Sequence, residues 1–384
     1  MDIVAGSSRA VAAERRPIRH LDLMLLVIAG LLSAAGIALI YSANRSLAAI
    51  DLDPTVNVKK QIAGIAIGVV LLLLIVAFDY RFLKVYAGLF YGITLLGLIL
   101  VQTPLGTNVN GAQRWFQFAG FQLSPAEFAK LSLIGLLAAM FSEIKHRDME
   151  LSDVIRGVAV AVPPMVFVFI QPDIGTSIVV AAILVGVLVV AGAKAKHLIA
   201  IGLTAVILAV GAFQLGVIKD YQVERLTAFF DSETDLAGAN YNRDQAEIAI
   251  GAGGLTGRGY LSGTQTNLDF VPEQHTDFIF TVAGEEFGFV GSVGLLILFG
   301  ILLWRAIRIS SLSKDMFGTY VAAGIASMWV IQMFVNVGMV IGIMPITGIP
   351  LPFVSYGGSA ILTNFIAVGL LLSIHMRRFT GSPR

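Results

Sequence analysis

The sequence contains no cysteine, which excludes disulfide bonds, thiolate metal sites and cysteine nucleophiles. Charged residues are also scarce, at 13% of the chain, against about 25% in soluble domains. The net charge is only +1, so the basic surplus typical of nucleic-acid binding is missing and we expect no nucleic-acid partner. No H-x-x-H or H-E-x-x-H pattern indicates a metal site. What the chain has instead is 57% hydrophobic residues, which is typical of an integral membrane protein.

About ten apolar runs approach the ~20 residues that a helix needs to cross a bilayer. We therefore predict an all-α integral membrane protein with about ten transmembrane helices over residues 21–376, flanked by cytoplasmic tails at 1–20 and 377–384. Pro163 and Pro164 predict a kink or break in the fifth run. The runs are residues 21–41, 62–78, 82–101, 128–142, 154–170, 175–193, 197–215, 278–303, 317–341 and 356–376.

The distribution of lysine and arginine predicts the orientation. Most of the 26 basic residues fall on the side that holds both termini, so both termini are expected to be cytoplasmic. A large extracytoplasmic loop then follows the seventh run, at residues 216–276. It is too long for a simple connector, its spaced apolar residues argue against disorder, and residues 245–250 favour a short helix at the interface.

The even-numbered helices of this topology all begin on the outer side, and three of them carry an acid in the first turn. These acids are Glu127, Asp173 and Asp277. The tenth helix begins with the glycine-containing segment 350–359. A carboxylate at the edge of a bilayer is costly unless it is paired, hydrated or used, which makes Asp277 a candidate functional residue. Helix N-termini also suit phosphate, because their N–H groups are free and their dipole end is positive.

Each of these motifs also has a structural explanation. Ser124 and Glu127 match a capping box, and Glu127 and Lys130 are spaced as an i,i+3 ion pair. Asp173 suits the N-cap of the sixth helix. Residues 355–359 could form a tight turn between helices.

The eighth helix leaves similar alternatives open. Thr276 or Asp277 could serve only as its N-cap, and His275 could be a solvated loop residue. Glu285 and Glu286 lie inside the helix. They could line the same cavity as Asp277 or pair with a neighbouring helix.

Six ordered segments together resemble the SEDS family, the membrane proteins of bacterial shape, elongation, division and sporulation. The resemblance covers the chain from Asp22 to the C-terminus, and residues 263–273 favour the rod-elongation branch over the division branch. The segments are residues 111–116, 124–130, 171–176, 250–259, 271–288 and 350–359.

This resemblance implies a peptidoglycan glycosyltransferase that polymerises lipid II on the outer face of the cytoplasmic (inner) membrane during cell elongation and rod-shape maintenance. The family's essential aspartate matches Asp277, which we predict as general base. The family's acid–base pair matches Glu127 and Lys130, and its helix-six acid matches Asp173. Lys130, Arg114 and Arg225 are expected to meet the pyrophosphate charge. The full set of expected substrate- and pyrophosphate-binding residues is Arg114, Arg225, Lys59, Glu273, His275, Ser355, Gly357 and Gly358.

The resemblance implies lipid II, an undecaprenyl-pyrophosphate-linked glycan, membrane lipids, elongation-complex proteins and a class B penicillin-binding protein as partners. The last would supply transpeptidation, because the chain does not contain the set of S-x-x-K, S-D-N and K-T-G motifs. We expect it to dock on the eighth and ninth helices and the large loop. No cofactor is certain. A divalent cation (Mg²⁺ or Mn²⁺) held jointly by an acid and a pyrophosphate would need few protein ligands.

Two other functions fit parts of the sequence. A lipid II flippase would also have many helices, a proline-containing helix and intramembrane acids. However, its site is expected near the middle of the membrane, whereas these polar groups gather at one face. A non-catalytic scaffold of the elongation complex would not need Glu127, Lys130, Asp173 and Asp277 together.

Overall fold

The structure is a computed structural model that describes residues 20–46, 53–109, 112–118, 121–144, 149–216, 239–268 and 270–378. All ten predicted runs are helices. Among the described residues, eight helices are long and apolar enough to cross a membrane, while α4 and α6 have 17 residues each. The ten helices are α1 (Leu23–Ala43), α2 (Val56–Ala77), α3 (Arg81–Leu100), α4 (Pro125–Phe141), α5 (Leu151–Ile170), α6 (Ile174–Val190), α7 (Ala195–Gln214), α10 (Ile279–Leu312), α11 (Met316–Val340) and α12 (Gly358–Met376). Two further helices, α8 (Ala239–Gly253) and α9 (Thr264–Asn267), lie in the loop between α7 and α10.

The bundle is built around α4, α11 and α12. Helix α11 packs against α4, α6 and α10, and α12 packs most extensively against α2. Burial follows this arrangement, because 83% of the apolar window of α12 is buried whereas none of that of α7 is. Helices α3 and α7 therefore present apolar side chains outward, as lipid-facing helices do.

A small antiparallel sheet between α3 and α4 was not predicted. Its strands are β1 (Thr107–Val109), β2 (Ala112–Phe118) and β3 (Phe121–Leu123), in the order β1-β2-β3. Thr107 pairs with Trp115, and Phe116 pairs with Leu123. The fold is otherwise helical as predicted, and the sheet adds a platform beside the N-terminus of α4.

Of the predicted kink or break at Pro163 and Pro164, the break does not occur, since α5 is one helix from Leu151 to Ile170. Proline at 164 has no N–H, so it leaves the carbonyl of Val160 without its helical partner. Tyr91 of α3 donates its hydroxyl to this carbonyl at 2.7 Å. A neighbouring helix thus satisfies the group that the proline frees, which is how transmembrane helices tolerate proline.

We expect Tyr91→Phe to destabilise the bundle by about 1 kcal/mol, the scale of hydrogen bonds between transmembrane helices. The measurement is the midpoint of thermal unfolding in detergent micelles. Tyr86→Phe is the matched control, because Tyr86 lies on the same helix and is 50% exposed. Equal midpoints for the two variants would show that the Val160 carbonyl does not need Tyr91.

The break occurs instead at Gly288, inside α10. Its φ of 64° and ψ of −160° interrupt the helix. The backbone of the loop fills the gap, because Phe289 N donates to Gly254 O at 2.9 Å and Gly259 N donates to Glu286 O at 3.0 Å. A Cβ atom at Gly257 would lie 2.1 Å from the Glu286 carbonyl, so glycine is required for this close approach.

The described part of the large loop contains two helices, α8 (Ala239–Gly253) and α9 (Thr264–Asn267). The predicted short helix at 245–250 is therefore confirmed and is longer than expected. Helix α8 packs against α10. The carboxylate of Glu285, which has no exposed surface, accepts from the N–H groups of Gln265 and Thr266 at 2.8 and 2.9 Å.

Glu286 acts in the same way on the neighbouring stretch of the loop. Its Oε1 accepts from Leu261 N at 3.0 Å and from the hydroxyl of Ser42 on α1. Both acids thus hold the loop against the bundle.

Candidate active site

The N-termini of α4, α6, α10 and α12 meet at one end of the bundle, as the sequence predicted. Ser124, which precedes α4, donates its N–H to the hydroxyl of Ser359 in α12 at 2.7 Å. A Cβ atom at Gly175 in α6 would lie 2.7 Å from the carbonyl of Thr347. The connection after α11 therefore lies against α6. Four positive dipole ends face the same region, which favours negative charge there.

Glu127 and Lys130 form a buried ion pair at the start of α4. Lys130 Nζ lies 2.7 Å from Glu127 Oε1, and their side chains are 2% and 12% exposed. The capping-box alternative is wrong, because the N–H of Ser124 bonds to Ser359 instead and the Ser124 side chain makes no capping bond. Glu127 is the more exposed member of the pair.

Asp173 caps α6, which confirms the structural alternative for this residue. Its carboxylate accepts from Thr176 N at 2.9 Å and from Thr176 Oγ1 at 3.0 Å. Arg114 of β2 lies beside it, with Nη1 3.7 Å from Asp173 Oδ2. Arg114 also donates Nε to the carbonyl of Gln171 at 2.7 Å and a further N–H to that of Pro172. Arg114 and Asp173 thus fasten the sheet to the α5–α6 connection.

Asp277 lies immediately before α10, where it meets the connection that precedes α12. The N-cap of α10 is Phe278, so the alternative in which Thr276 or Asp277 occupies that position is wrong. A Cβ atom at Gly348 would lie 3.2 Å from Asp277 Oδ2. Gly348 has a φ of 73°, which only glycine adopts without strain. A glycine here leaves room for the carboxylate.

Asn336 of α11 fixes the backbone on both sides of this contact. Its Nδ2 donates to the carbonyl of Asp277 at 2.8 Å and to that of Ile349 at 2.7 Å, and the residue has no exposed surface. Sequence analysis did not assign Asn336 to the site. A buried amide in an apolar membrane helix was the signal that could have found it.

We expect Asn336→Leu to lower the free energy of unfolding by about 1–3 kcal/mol, because the carbonyls of Asp277 and Ile349 lose their donor. Thermal unfolding in detergent measures the change. Gln332→Leu is the control: Gln332 is a buried amide one turn earlier on α11 that makes no hydrogen bond among the described residues. If both variants unfold at the same temperature, Asn336 does not hold the Asp277 backbone.

The segment before α12 is held from two sides. Tyr356 N donates to the carbonyl of His275 at 3.0 Å, and their rings lie 5.7 Å apart. Gln61 of α2 donates to the carbonyl of Ser355 at 3.2 Å and accepts from Gly357 N at 3.3 Å. Sequence analysis missed Gln61 and Tyr356.

The tight-turn interpretation of residues 355–359 is only partly correct. A turn precedes Ser355, and α12 itself begins at Gly358. A Cβ atom at Gly358 would lie 3.6 Å from the carbonyl of Gln122, so this helix end lies against β3. The segment therefore connects α12 to the sheet beside α4.

The remaining predicted site residues are Lys59, Glu273 and Arg225. Lys59 pairs with Asp53 at 2.9 Å, and both side chains are largely exposed. Hydrogen bonds from Thr55 and Lys59 hold the pKa of Asp53 below its usual range. Glu273 accepts from the Thr276 hydroxyl at 3.0 Å. Arg225 lies outside the described residues.

Metal binding by the protein alone is not supported within the described ranges. Among the described residues, no group of three or more His, Asp or Glu side chains is placed to hold one metal ion. A cation shared with a pyrophosphate stays a prediction, because the phosphate oxygens would supply the missing ligands.

Comparison with known proteins identifies the family. Residues 22–379 match the model of the cell cycle protein family of FtsW, RodA and SpoVE. The chain belongs to this family. It is 35% identical over 361 residues to the peptidoglycan glycosyltransferase MrdB of Escherichia coli K12, covering 94% of each chain. The predicted SEDS resemblance is thereby confirmed.

Solved structures agree with this assignment. A chain from a peptidoglycan synthase complex that coordinates polymerization and crosslinking superposes with a TM-score of 0.79 at 31% identity, covering 94% of this chain and 99% of that one. The rod shape determining protein RodA of Thermus thermophilus gives 0.69 at 29% identity, covering 94% and 98%. These neighbours support a RodA-like member of the family and confirm the helical membrane fold.

Proposed function

We propose that this chain is a peptidoglycan glycosyltransferase that polymerises lipid II during cell elongation and rod-shape maintenance. The proposal rests on the family match over residues 22–379, together with four helix N-termini at the end of the bundle where Asp277 lies. The similarity to MrdB, a named glycosyltransferase, supports the reaction class. Such a site would lie on the outer face of the cytoplasmic membrane, with both chain termini in the cytoplasm.

The reaction joins a growing glycan to lipid II. A sugar hydroxyl of lipid II attacks the anomeric carbon of the glycan that is linked to undecaprenyl pyrophosphate. A glycosidic C–O bond forms, the C–O bond to the pyrophosphate breaks, and undecaprenyl pyrophosphate leaves. Asp277 accepts the proton of the attacking hydroxyl as general base. The helix N-termini and basic residues stabilise the negative charge that develops on the leaving group.

The remaining residues take supporting roles in this proposal. Lys130, held by Glu127, contributes positive charge to the leaving-group side, together with Arg114 and Arg225. Asp173 orients a sugar or a cation shared with the pyrophosphate. Ser355, Gly357 and Gly358 lie at the N-terminus of α12, whose positive dipole end favours a phosphate. His275, Glu273 and Lys59 are proposed to contact other parts of the substrates.

We also propose a class B penicillin-binding protein as the partner that crosslinks the strands. The similar structure comes from a complex that coordinates polymerization and crosslinking. Helices α10 and α11 and the large loop are the proposed docking surface. Binding of the partner there would act on the loop that Glu285 and Glu286 hold against the bundle. Through this loop it would also act on the segment that carries Asp277.

The direct test is polymerisation of labelled lipid II by the purified full chain in complex with such a partner. We expect glycan strands on gels that resolve their length. Translocation of a fluorescent lipid II across vesicles without strand formation would favour the flippase. Neither activity, in a folded complex, would favour the scaffold.

A further inference from the structure

The turn that carries Asp277 is tied to two distant parts of the chain by the side chain of Gln274. Gln274 lies three residues before Asp277 and is buried. Its Nε2 donates to the carbonyl of Ala43 at 3.2 Å and to that of Thr266 at 3.0 Å. Carbonyl oxygens can only accept, so the amide must present its NH2 group to them. One side chain thus joins the turn to the end of α1 and to α9.

Both acceptors are held in place by other elements. Ala43 is the last residue of α1, where a helix leaves its final carbonyls free for other donors. Thr266 donates its N–H and its hydroxyl to the buried carboxylate of Glu285, at 2.9 and 2.7 Å. Glu285 belongs to α10, the helix that begins just after Asp277. The contacts from α10 through α9 to Gln274 therefore return to the turn and form a closed ring.

The turn needs such a tie, because part of its backbone is strained. Glu273 has a φ of 54°, in the left-handed region that residues other than glycine rarely adopt. The N–H groups of Thr276 and Phe278 both donate to the Glu273 carbonyl, at 3.1 and 3.4 Å. A strained conformation of this kind persists only where the surrounding structure holds it. Gln274 is the next residue, and its two hydrogen bonds supply that support.

We propose that Gln274 is a positioning residue, which holds the Asp277 carboxylate in the geometry that the reaction requires. The inference rests on the proposed function for the role of Asp277 as general base. Gln274 acts through the turn and does not need to touch a substrate. A misplacement of about 1 Å can lower an enzymatic rate by about 10²-fold. Loss of both hydrogen bonds frees the turn for a movement of this size.

The first test measures the turn itself and needs no substrate. Hydrogen–deuterium exchange of residues 273–278 is followed by mass spectrometry on the full chain in detergent. Gln274→Met keeps the size of the side chain and removes both donors, so we expect these amides to exchange about tenfold faster. Gln332→Met is the matched control, since Gln332 is a buried amide that makes no hydrogen bond among the described residues. It should leave the exchange of residues 273–278 unchanged.

Thr266→Val is the milder variant, in case Gln274→Met does not fold. It removes one bond to Glu285 and keeps the carbonyl that Gln274 uses, so we expect exchange about threefold faster. Thermal unfolding shows which variants are folded. Unchanged exchange of residues 273–278 in whichever of the two variants folds would overturn the proposal. So would an equal increase in Gln332→Met.

The second test separates positioning from a general loss of stability. In polymerisation of labelled lipid II, Gln274→Met is expected to lower the maximal rate about 10–100-fold and to leave the half-saturating concentration within about twofold. In the Asp277→Asn background, the same change should lower the remaining rate by less than about twofold, because the base that Gln274 positions is already absent.

Equal fold-losses in the two backgrounds would overturn the positioning role, since Gln274 would then act independently of Asp277. Wild-type protein that makes no strands would instead contradict the proposed function. The exchange measurement would still decide whether Gln274 holds the turn, so the two failures can be told apart.

Discussion

Replacing Asp277 by asparagine is expected to reduce polymerisation of lipid II by about 10²–10⁴-fold, the usual contribution of a general base. Asparagine keeps the size of the side chain beside Gly348 and leaves the backbone bond to Asn336 intact. It cannot accept the proton of the attacking hydroxyl. The measurement is the initial rate of strand formation from labelled lipid II, at the same concentration of folded complex.

Asp244→Asn is the matched control for this experiment. Asp244 lies on α8 of the same loop and its side chain is 54% exposed. It should polymerise at the wild-type rate and unfold at the wild-type temperature. A rate for Asp277→Asn within a few-fold of wild type would remove Asp277 from the role of base, while leaving the family assignment untouched.

Lys130→Met is expected to have the largest effect on stability, about 3–5 kcal/mol, and to abolish polymerisation. The reason is that the carboxylate of Glu127 loses its only described partner and stays in a largely buried position. Thermal unfolding in detergent and the polymerisation assay are measured on the same preparation. Lipid substrate that binds as tightly as before would contradict the proposed contribution of Lys130 to the leaving-group side.

A double variant separates the structural role of this pair from its chemical role. Glu127→Gln with Lys130→Met removes both charges, and replacing a buried pair by neutral groups is often close to neutral for stability. We expect most of the stability to return while polymerisation stays absent. Recovery of both would mean that the pair only supports the fold.

The ten helices could be predicted because each depends on a local apolar run. The points at which these helices are interrupted could not be predicted. Proline in α5 suggested a break, yet Tyr91 satisfies the carbonyl of Val160 and the helix continues. Gly288 gave no comparable signal, yet α10 breaks there because backbone from residues 254–259 takes the place of its helical partners. Both outcomes depend on hydrogen-bond partners distant in sequence.

In the candidate site, too, some contacts could be predicted from the sequence and others could not. The cap of Asp173 on α6 is a contact over three residues, and the sequence predicted it correctly. The capping box at Ser124 was equally local in appearance, but Ser359 of α12 provides the acceptor that Ser124 uses. Asn336 and Gln61 bind segments far along the chain, so their sequence neighbours carried little information about them.

The sequence by itself determined that this is a helical membrane protein and that its acids gather at the N-termini of alternate helices. Both follow from short-range rules, namely the length of an apolar run and the alternation of direction with each crossing. Only the tertiary structure decided that Arg114 lies beside Asp173, where a long helix breaks and what holds Asp277 in place. Those outcomes depend on hydrogen-bond partners that replace water inside a membrane, and the partners come from whichever helix or loop packs alongside.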